Sequence, residues 1–459
     1  MSGGAVRGGL LRRHRDFRLL WCGETAGKFG ASVTGVAMPL IAVSALDAST
    51  FEVGLLSASA WAPWLLIGLP VGVWVDRWRR RPIMLGAAAV SLVLFAFVPV
   101  AARLGWLSMG LLLAVALLTG AAAVFFQTAY TAYLPSILAP EDQPEGNAKL
   151  HGSASAAQIA GLGSGGLIAQ LAGAVNGLFA NAATFLVSLL CLAGIRHREP
   201  RAASAETGRG AGALVDDVRA GVRLIAGDPW FRTLTLFGAA SNLALMGYQS
   251  IQVDFLIRDV GLAPGAVGTL VAATSAGGVA GAFVARRVAD RIGTARAMLL
   301  FELGLPVAAL LIPLTVRGAG VLFFVTGGFF VSAGVVAGNI VKSSFQQRYC
   351  PPELLGRLTA TGAFLGFGTI PLGALLGGAL GTVLGTRPAI AVMAAGVPLA
   401  ALILFFSPVR RVRDLPTERR KPDGPADGPA DAPADGPADG PRHRDGRGQP
   451  ARLGPDAGA

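Results

Sequence analysis

Runs of about twenty apolar residues, interrupted by short clusters of arginine, aspartate, proline and glycine, recur from residue 17 to residue 407. A bilayer core about 30 Å thick is crossed by about 20 residues of helix rising 1.5 Å each. The pattern predicts twelve transmembrane helices, over 17–46, 52–75, 83–103, 106–133, 149–173, 175–195, 230–257, 263–285, 296–316, 319–345, 358–384 and 387–407. The division between the fifth and the sixth is the least sharp. The expected fold is all-α integral membrane, with twelve transmembrane helices in two pseudo-symmetric six-helix halves, 17–195 and 230–407. A short arm, 1–16, precedes them. A polar Gly/Arg/Ala-rich linker, 196–229, joins them, and a tail, 408–459, follows.

Composition agrees with the pattern. The chain of 459 residues is 53% hydrophobic and only 14% charged, whereas soluble domains carry about 25% charged residues. Its net charge of +12 would suggest nucleic acid in a soluble protein. Here the basic residues sort by loop instead. Arg7, Arg12, Arg13, Arg15 and Arg18, then Arg77 to Arg81, then Arg196, Arg198 and Arg201, then Arg286, Arg287, Arg291 and Arg296 alternate with loops holding only Arg103, Arg258, Arg317 and Arg387. Cytoplasmic loops collect Lys and Arg, so both termini are expected in the cytoplasm of a cell-membrane protein. The first apolar run is too long for a signal peptide and contains Glu24 and Lys28, so it reads as the first span.

The linker and tail have their own signals. Leu214, Val218, Val222 and Ile225 recur at helical spacing, which predicts a short amphipathic helix at the membrane surface. Residues 422–442, a Pro/Ala/Asp/Gly repeat, lack apolar surface to bury and predict a disordered tail.

Several chemistries are not indicated. Cys22, Cys191 and Cys350 are an odd number and form no disulfide framework. His14, His151, His197 and His443 have no metal-ligand spacing. A phosphate-binding G-x-x-x-x-G-K-[ST] loop is absent. Gly161, Gly163 and Gly166 satisfy G-x-G-x-x-G but lie inside an apolar segment, not after a strand. No hydrolase motif occurs. The chain is therefore not expected to be an enzyme or to require a cofactor, metal or nucleic acid.

The halves echo one another. Asp76-Arg77-Trp78-Arg79 follows the second segment and Asp290-Arg291-Ile292-Gly293 follows the eighth, as parallel repeats would. Small residues allow helices in lipid to approach closely. Gly68/Gly72, Gly161/Gly165 and Gly277/Gly281 are spaced four apart, and Gly373, Gly377, Gly381 and Gly385 continue one register. Segments two, five, eight and eleven are thereby expected to let the halves approach. Asp76 and Asp290 stand where a carboxylate favours a neighbouring helix N-terminus by about 0.3–1 kcal/mol, Asp76 beside Arg357 and Asp290 beside the fifth span.

These residues resemble the major facilitator superfamily, specifically its twelve-span drug/proton antiporters and, within them, the branch of bacterial enterobactin and macrolide exporters. The family's loop motif G-x-x-x-D-R-x-G-R-R is matched by Gly72, Asp76, Arg77, Arg80 and Arg81, with Arg79 in place of the second glycine. The span-five motif G-P-x-x-G-G is matched by Gly161, Gly165 and Gly166, with Leu162 in place of proline. Pro352 to Arg357 resembles the loop before span eleven. The resemblance implies alternating access, driven by the proton gradient, with gating loops at Gly72, Asp76, Arg77, Arg80, Arg81, Asp290, Arg291 and Arg357. It further implies a central cavity lined by spans one, four, seven and ten.

An ionisable group in mid-membrane disfavours insertion by about 2.5–3.5 kcal/mol and marks a functional candidate. Glu24 and Lys28, four residues apart on one helix face, are the expected proton-coupling pair, with a structural ion pair as the alternative. Gln127, Tyr130, Asn242, Gln249 and Asn339 are substrate-cavity candidates, as is Gln252. Asp254 and Lys342 fall near span ends, where water is in reach, and Glu302 falls on a peripheral helix. The function expected is proton-coupled efflux of a small amphipathic molecule (drug, macrolide or siderophore-like) by a monomer in the lipid bilayer. An importer of the same fold, and a membrane receptor or enzyme, are the alternatives.

Overall fold

Segments of this composition have no water to satisfy their backbone in lipid, so helix is the form open to them. The computed structural model describes residues 10–197 and 211–417, without the side chains of 69, 73, 76, 211–218, 352 and 353. Among the described residues there is helix and loop but no strand. In chain order the α-helices are α1 (Leu10–Arg13), α2 (Arg15–Ala45), α3 (Thr50–Leu66), α4 (Gly68–Arg77), α5 (Arg80–Arg103), α6 (Met109–Ile137), α7 (Gln143–Ala172) and α8 (Ala174–Gly194). They continue with α9 (Ala211–Gly227), α10 (Pro229–Asp254), α11 (Pro264–Ile292), α12 (Thr294–Leu299), α13 (Val321–Tyr349), α14 (Pro352–Leu384) and α15 (Thr386–Phe405). Nine helical stretches among the described residues are long and apolar enough to cross a membrane.

Local chemistry sets the helix ends. Ser49 caps α3 in a reciprocal box with Glu52, satisfying two otherwise orphan donors. Asp228 caps α10 by accepting from the backbone of Trp230 at 2.9 Å and Phe231 at 3.3 Å. The uncertain division between the fifth and sixth apolar segments falls at Gly173, whose φ of 83° lies in the left-handed region that glycine enters without a Cβ clash.

Two expected continuous helices are broken. The second segment parts at Ile67 between α3 and α4, one turn after Pro63, whose ring disturbs the ladder. The ninth runs as α12, then a π-helical turn, Leu300–Gly304, then a 3-10 stretch, Leu305–Leu314. Pro306 has no N–H for the Glu302 carbonyl, so regular α-helix cannot continue through this point.

Packing joins distant parts of the chain. α2 lies against α7 and α8, α3 against α6 and α14, and α10 against α14 and α15. α11 lies against α7 and α13. Two of these crossings bring backbones together. A Cβ on Gly54 (α3) would lie 2.7 Å from the Ala374 carbonyl oxygen and 2.8 Å from Gly378 Cα (α14). A Cβ on Gly166 (α7) would lie 2.7 Å from Gly268 Cα (α11). Both contacts lie toward the face that holds Asp47, Gly173 and Gly261. α4, nearer the face that holds α1, packs on α3, α5 and α6.

The expected tail begins later than residue 408. Val409 is fully buried and Leu415 nearly so. Asp414 accepts from the backbone N–H of Thr294 at 2.9 Å, and the Arg413 carbonyl accepts from Ala295. Apolar anchors and a capping carboxylate thus fasten 408–417 to α12, while the repeat at 422–442 lies outside the described residues. In the linker, α9 forms over the predicted register. Ile225 is buried but Val222 is exposed, and Gly221 abuts Thr361 of α14. The helix therefore touches α14 at Gly221.

Candidate functional site

Glu24 projects from α2 nine residues past Arg15, about 14 Å along the helix. It is 5% exposed. Lys28, one turn on, brings Nζ to 3.4 Å from Glu24 Oε1 and donates to Gln127 Oε1 on α6 at 3.2 Å. Tyr130, three residues after Gln127, is also buried, stacks on Phe126 with centroids 6.4 Å apart, and lies within the field of Glu24. The fold thus gathers an acid, an ammonium, an amide and a phenol from two helices. Its two charged members differ: the carboxylate is sealed, whereas the lysine side chain is 42% exposed. A sealed carboxylate with one partly open cation can hold a proton or an ion pair, depending on what reaches the lysine.

The remaining cavity candidates are scattered. Asn242 on α10 donates to the Gly366 carbonyl of α14 at 3.1 Å and ties two helices together. Gln249 (α10) and Asn339 (α13) are exposed, and Gln252 is half-buried.

Asp254 departs from expectation. It is fully buried, not turned to water. Thr50 donates to it from Oγ1 at 2.7 Å, and Arg258 lies 3.1 Å from its Oδ1. Arg258 also donates to Asp47 at 2.8 Å. The loop before α3 and the end of α10 are thereby clasped beside the Gly54–Gly378 contact. Sequence reading missed this because its members are separated by about two hundred residues. Lys342 is half-buried. Glu302 is 5% exposed and lies against Gly338 of α13.

The loop residues take different parts. Arg81 donates from Nε to the Leu192 carbonyl at 3.1 Å and from a terminal nitrogen to Ala193 at 2.7 Å, holding the end of α8. Arg77, Arg291 and Arg357 are exposed and Arg80 is half-buried. The Asp76 side chain lies outside the described residues. Asp290 is exposed and lies 3.7 Å from Arg286 on its own helix, so among the described residues its partner is not the start of α7. A Cβ on Gly72 would meet open space.

The glycine stripes pack within as well as across the sequence halves. Gly161 and Gly165 receive α2 at Phe29 and Val33, whereas Gly166 receives α11. Gly373 and Gly377 receive α10 at Leu243 and Gly247. Gly381 abuts Thr50 of α3. Gly277 and Gly281 receive α13. The stripes of α7 and α14 therefore each serve two neighbours, which spacing alone does not separate.

Comparison with known proteins assigns this architecture. Residues 11–427 match the family model of the transmembrane secretion effectors. The multidrug efflux pump Tap of Mycolicibacterium fortuitum is 26% identical over 419 residues, spanning 86% of this chain and 96% of the relative. Among solved structures, the nucleoside transporter NupG superposes with a TM-score of 0.70 at 12% identity, covering 85% of this chain and 99% of that one. A bacterial homologue of the iron transporter ferroportin superposes with a TM-score of 0.68 at 16% identity, covering 86% and 98%. These proteins are transporters, not enzymes. The chain is a multi-pass membrane transporter that belongs to the transmembrane secretion effector family of the major facilitator superfamily.

Proposed function

We propose that this secondary transporter expels a small amphipathic molecule in exchange for protons, and that Glu24 carries the proton. The observation that carries the reading is the sealed Glu24 carboxylate, 3.4 Å from a half-open Lys28 that also binds Gln127. A proton arriving at Glu24 forms an O–H bond and releases Lys28 from its ion pair. Deprotonation restores the pair. Substrate reaching Lys28, Gln127 and Tyr130 competes for the same groups, which is what exchange requires. Gln249 and Asn339 extend the cavity on the facing helices, and Asn242 braces it. The relatedness to multidrug efflux pumps supports outward transport.

In this reading twelve spans form two six-helix halves, with α3–α4, α7 and α10 joining the nine apolar stretches. The protein works as a monomer in the bilayer with both termini cytoplasmic, and the loop from Gly72 to Arg80, with Asp290, Arg291 and Arg357, governs interconversion, while Arg81 braces the end of α8. Close packing at Gly54–Gly378 and Gly166–Gly268, with open space beside Gly68, Gly72, Gly356 and Gly362, supports a state closed outside and open to the cytoplasm.

The test uses the full chain in proteoliposomes with an imposed pH gradient and a panel of fluorescent amphipathic cations as probes. Uphill movement that vanishes when the gradient is collapsed is expected. The Glu24→Gln variant is expected to lose uphill transport and retain downhill exchange. Undiminished uphill transport by that variant would remove Glu24 from the mechanism.

A further inference from the structure

A second buried acid lies apart from the first, with a lysine on the neighbouring helix. Glu302 sits in the π-helical turn Leu300–Gly304, eight residues past Thr294, and hence about 12 Å from that end of the helix. Its carboxylate is pressed against Gly338, where there is no room for a Cβ. Lys342, one turn further along α13, is the cation whose charge reaches it. Lys342 lies seven residues before Tyr349, about 10 Å from the end of α13. Measured along their helices from the face that holds α1, the two acids lie at similar depths, about 14 and 12 Å.

Three observations argue against packing as the whole role. Burying a charged carboxylate disfavours folding unless it is compensated, so stability alone does not call for one here. Single π-turns interrupt the helix ladder and occur often at functional sites. Gly338 leaves room for that carboxylate where a Cβ would collide with it. Other charged or titratable groups lie on the elements packed around the turn, but not at its depth. Arg296 and Arg348 are exposed. Tyr349 donates to Asp228, and Arg387, near the other face, donates to the Pro313 carbonyl.

We propose that Glu302 and Lys342 form a second proton-binding site, so that the protein takes up a proton on α2 and another between the π-turn and α13. The proton comes from water, forms an O–H bond on the Glu302 carboxylate and leaves the pair with net charge +1. Its departure restores the carboxylate. Half-buried Lys342 joins the sealed acid to its surroundings, as Lys28 does for Glu24. The proposal rests on the proton-coupled reading above for its purpose but not for its detection.

The test is infrared difference spectroscopy of the full-length protein in lipid, stepped in pH, with the proton alone as ligand. Besides the band of Glu24, a second band from a protonated carboxylic acid is expected to appear as pH falls, to vanish in Glu302→Gln and to persist in Glu24→Gln. In Lys342→Met the pH at which the band appears is expected to move by about one unit or more, the scale of a close opposite charge. Superimposable spectra for the wild type and a folded Glu302→Gln would overturn the site. If that variant does not fold, an unmoved band in Lys342→Met would overturn it instead. Loss of proton-driven transport in the wild type, with the band intact, would sink the transport reading and leave this site standing.

Discussion

Thr50 donates from Oγ1 to Asp254 at 2.7 Å, across 204 positions of sequence. The contact stands at the start of α3 and the end of α10, next to the closest backbone approach between α3 and α14. A hydrogen bond to a charged group contributes about 1.5–3 kcal/mol, and this one exists only while these ends are together. Thr50→Val is therefore expected to shift the balance toward separated ends by about tenfold or more. Spin labels on Ala45 and Ala263, both exposed, would report it as a longer distance. An unchanged distance distribution means that Thr50 and Asp254 do not hold this face shut.

The same face offers a steric test. At Gly54 an added methyl group meets the backbone of Ala374 and Gly378, which cannot rotate away as a side chain can. Overpacking of this kind destabilises a close-packed state by about 1–3 kcal/mol. Gly54→Ala is expected to lengthen the Ala45–Ala263 distance, whereas Gly72→Ala, with open space at its Cβ, is expected to leave it alone. Equal responses from the two variants would contradict the assignment of Gly54 to a closing contact.

The pair at Glu24 and Lys28 is asymmetric, and its variants should be too. Lys28→Met strands a buried carboxylate, and breaking a buried pair in this way destabilises by about 3–5 kcal/mol. Glu24→Gln leaves a lysine that is 42% exposed and still bound to Gln127, so about 1 kcal/mol is expected. Thermal unfolding in detergent should rank Lys28→Met well below Glu24→Gln. The reverse order would show that the carboxylate is not the sealed member.

Much of this was legible in the sequence because lipid restricts the choices. Apolar run length marked the helices, and i, i+4 spacing joined Glu24 to Lys28. Gln127 was named as a substrate-cavity candidate on another span, without Lys28 as its partner. That it meets Lys28 depends on the relative rotation of α2 and α6, which no single segment encodes. Asp254 was misread for a similar reason: proximity to a helix end implies water only if nothing else covers that end, and Thr50 and Arg258 do. The π-turn had a partial signal in Pro306, but a proline inside a span equally suits a simple kink. Glycine spacing marked close approach without naming the partner, so Gly161 and Gly166, five apart on one helix, proved to serve α2 and α11 respectively.

Arg81 separates two meanings of the loop motif. Its guanidinium reaches the Leu192 and Ala193 carbonyls in the last turn of α8. Carbonyls there have no partner within their own helix, and a cation at a helix C-terminus also meets the favourable end of the helix dipole. The planar fork spans two acceptors at once, which a lysine ammonium on a flexible stem does less well. Arg81→Ala is therefore expected to lower stability by about 2 kcal/mol, with Arg81→Lys in between, as seen by thermal unfolding. Transport per folded molecule is expected to stay at the wild-type level, because both acceptors lie on one helix and the contact need not break as the molecule changes state. A variant of wild-type stability but poor turnover would reverse the assignment and make Arg81 part of the gate.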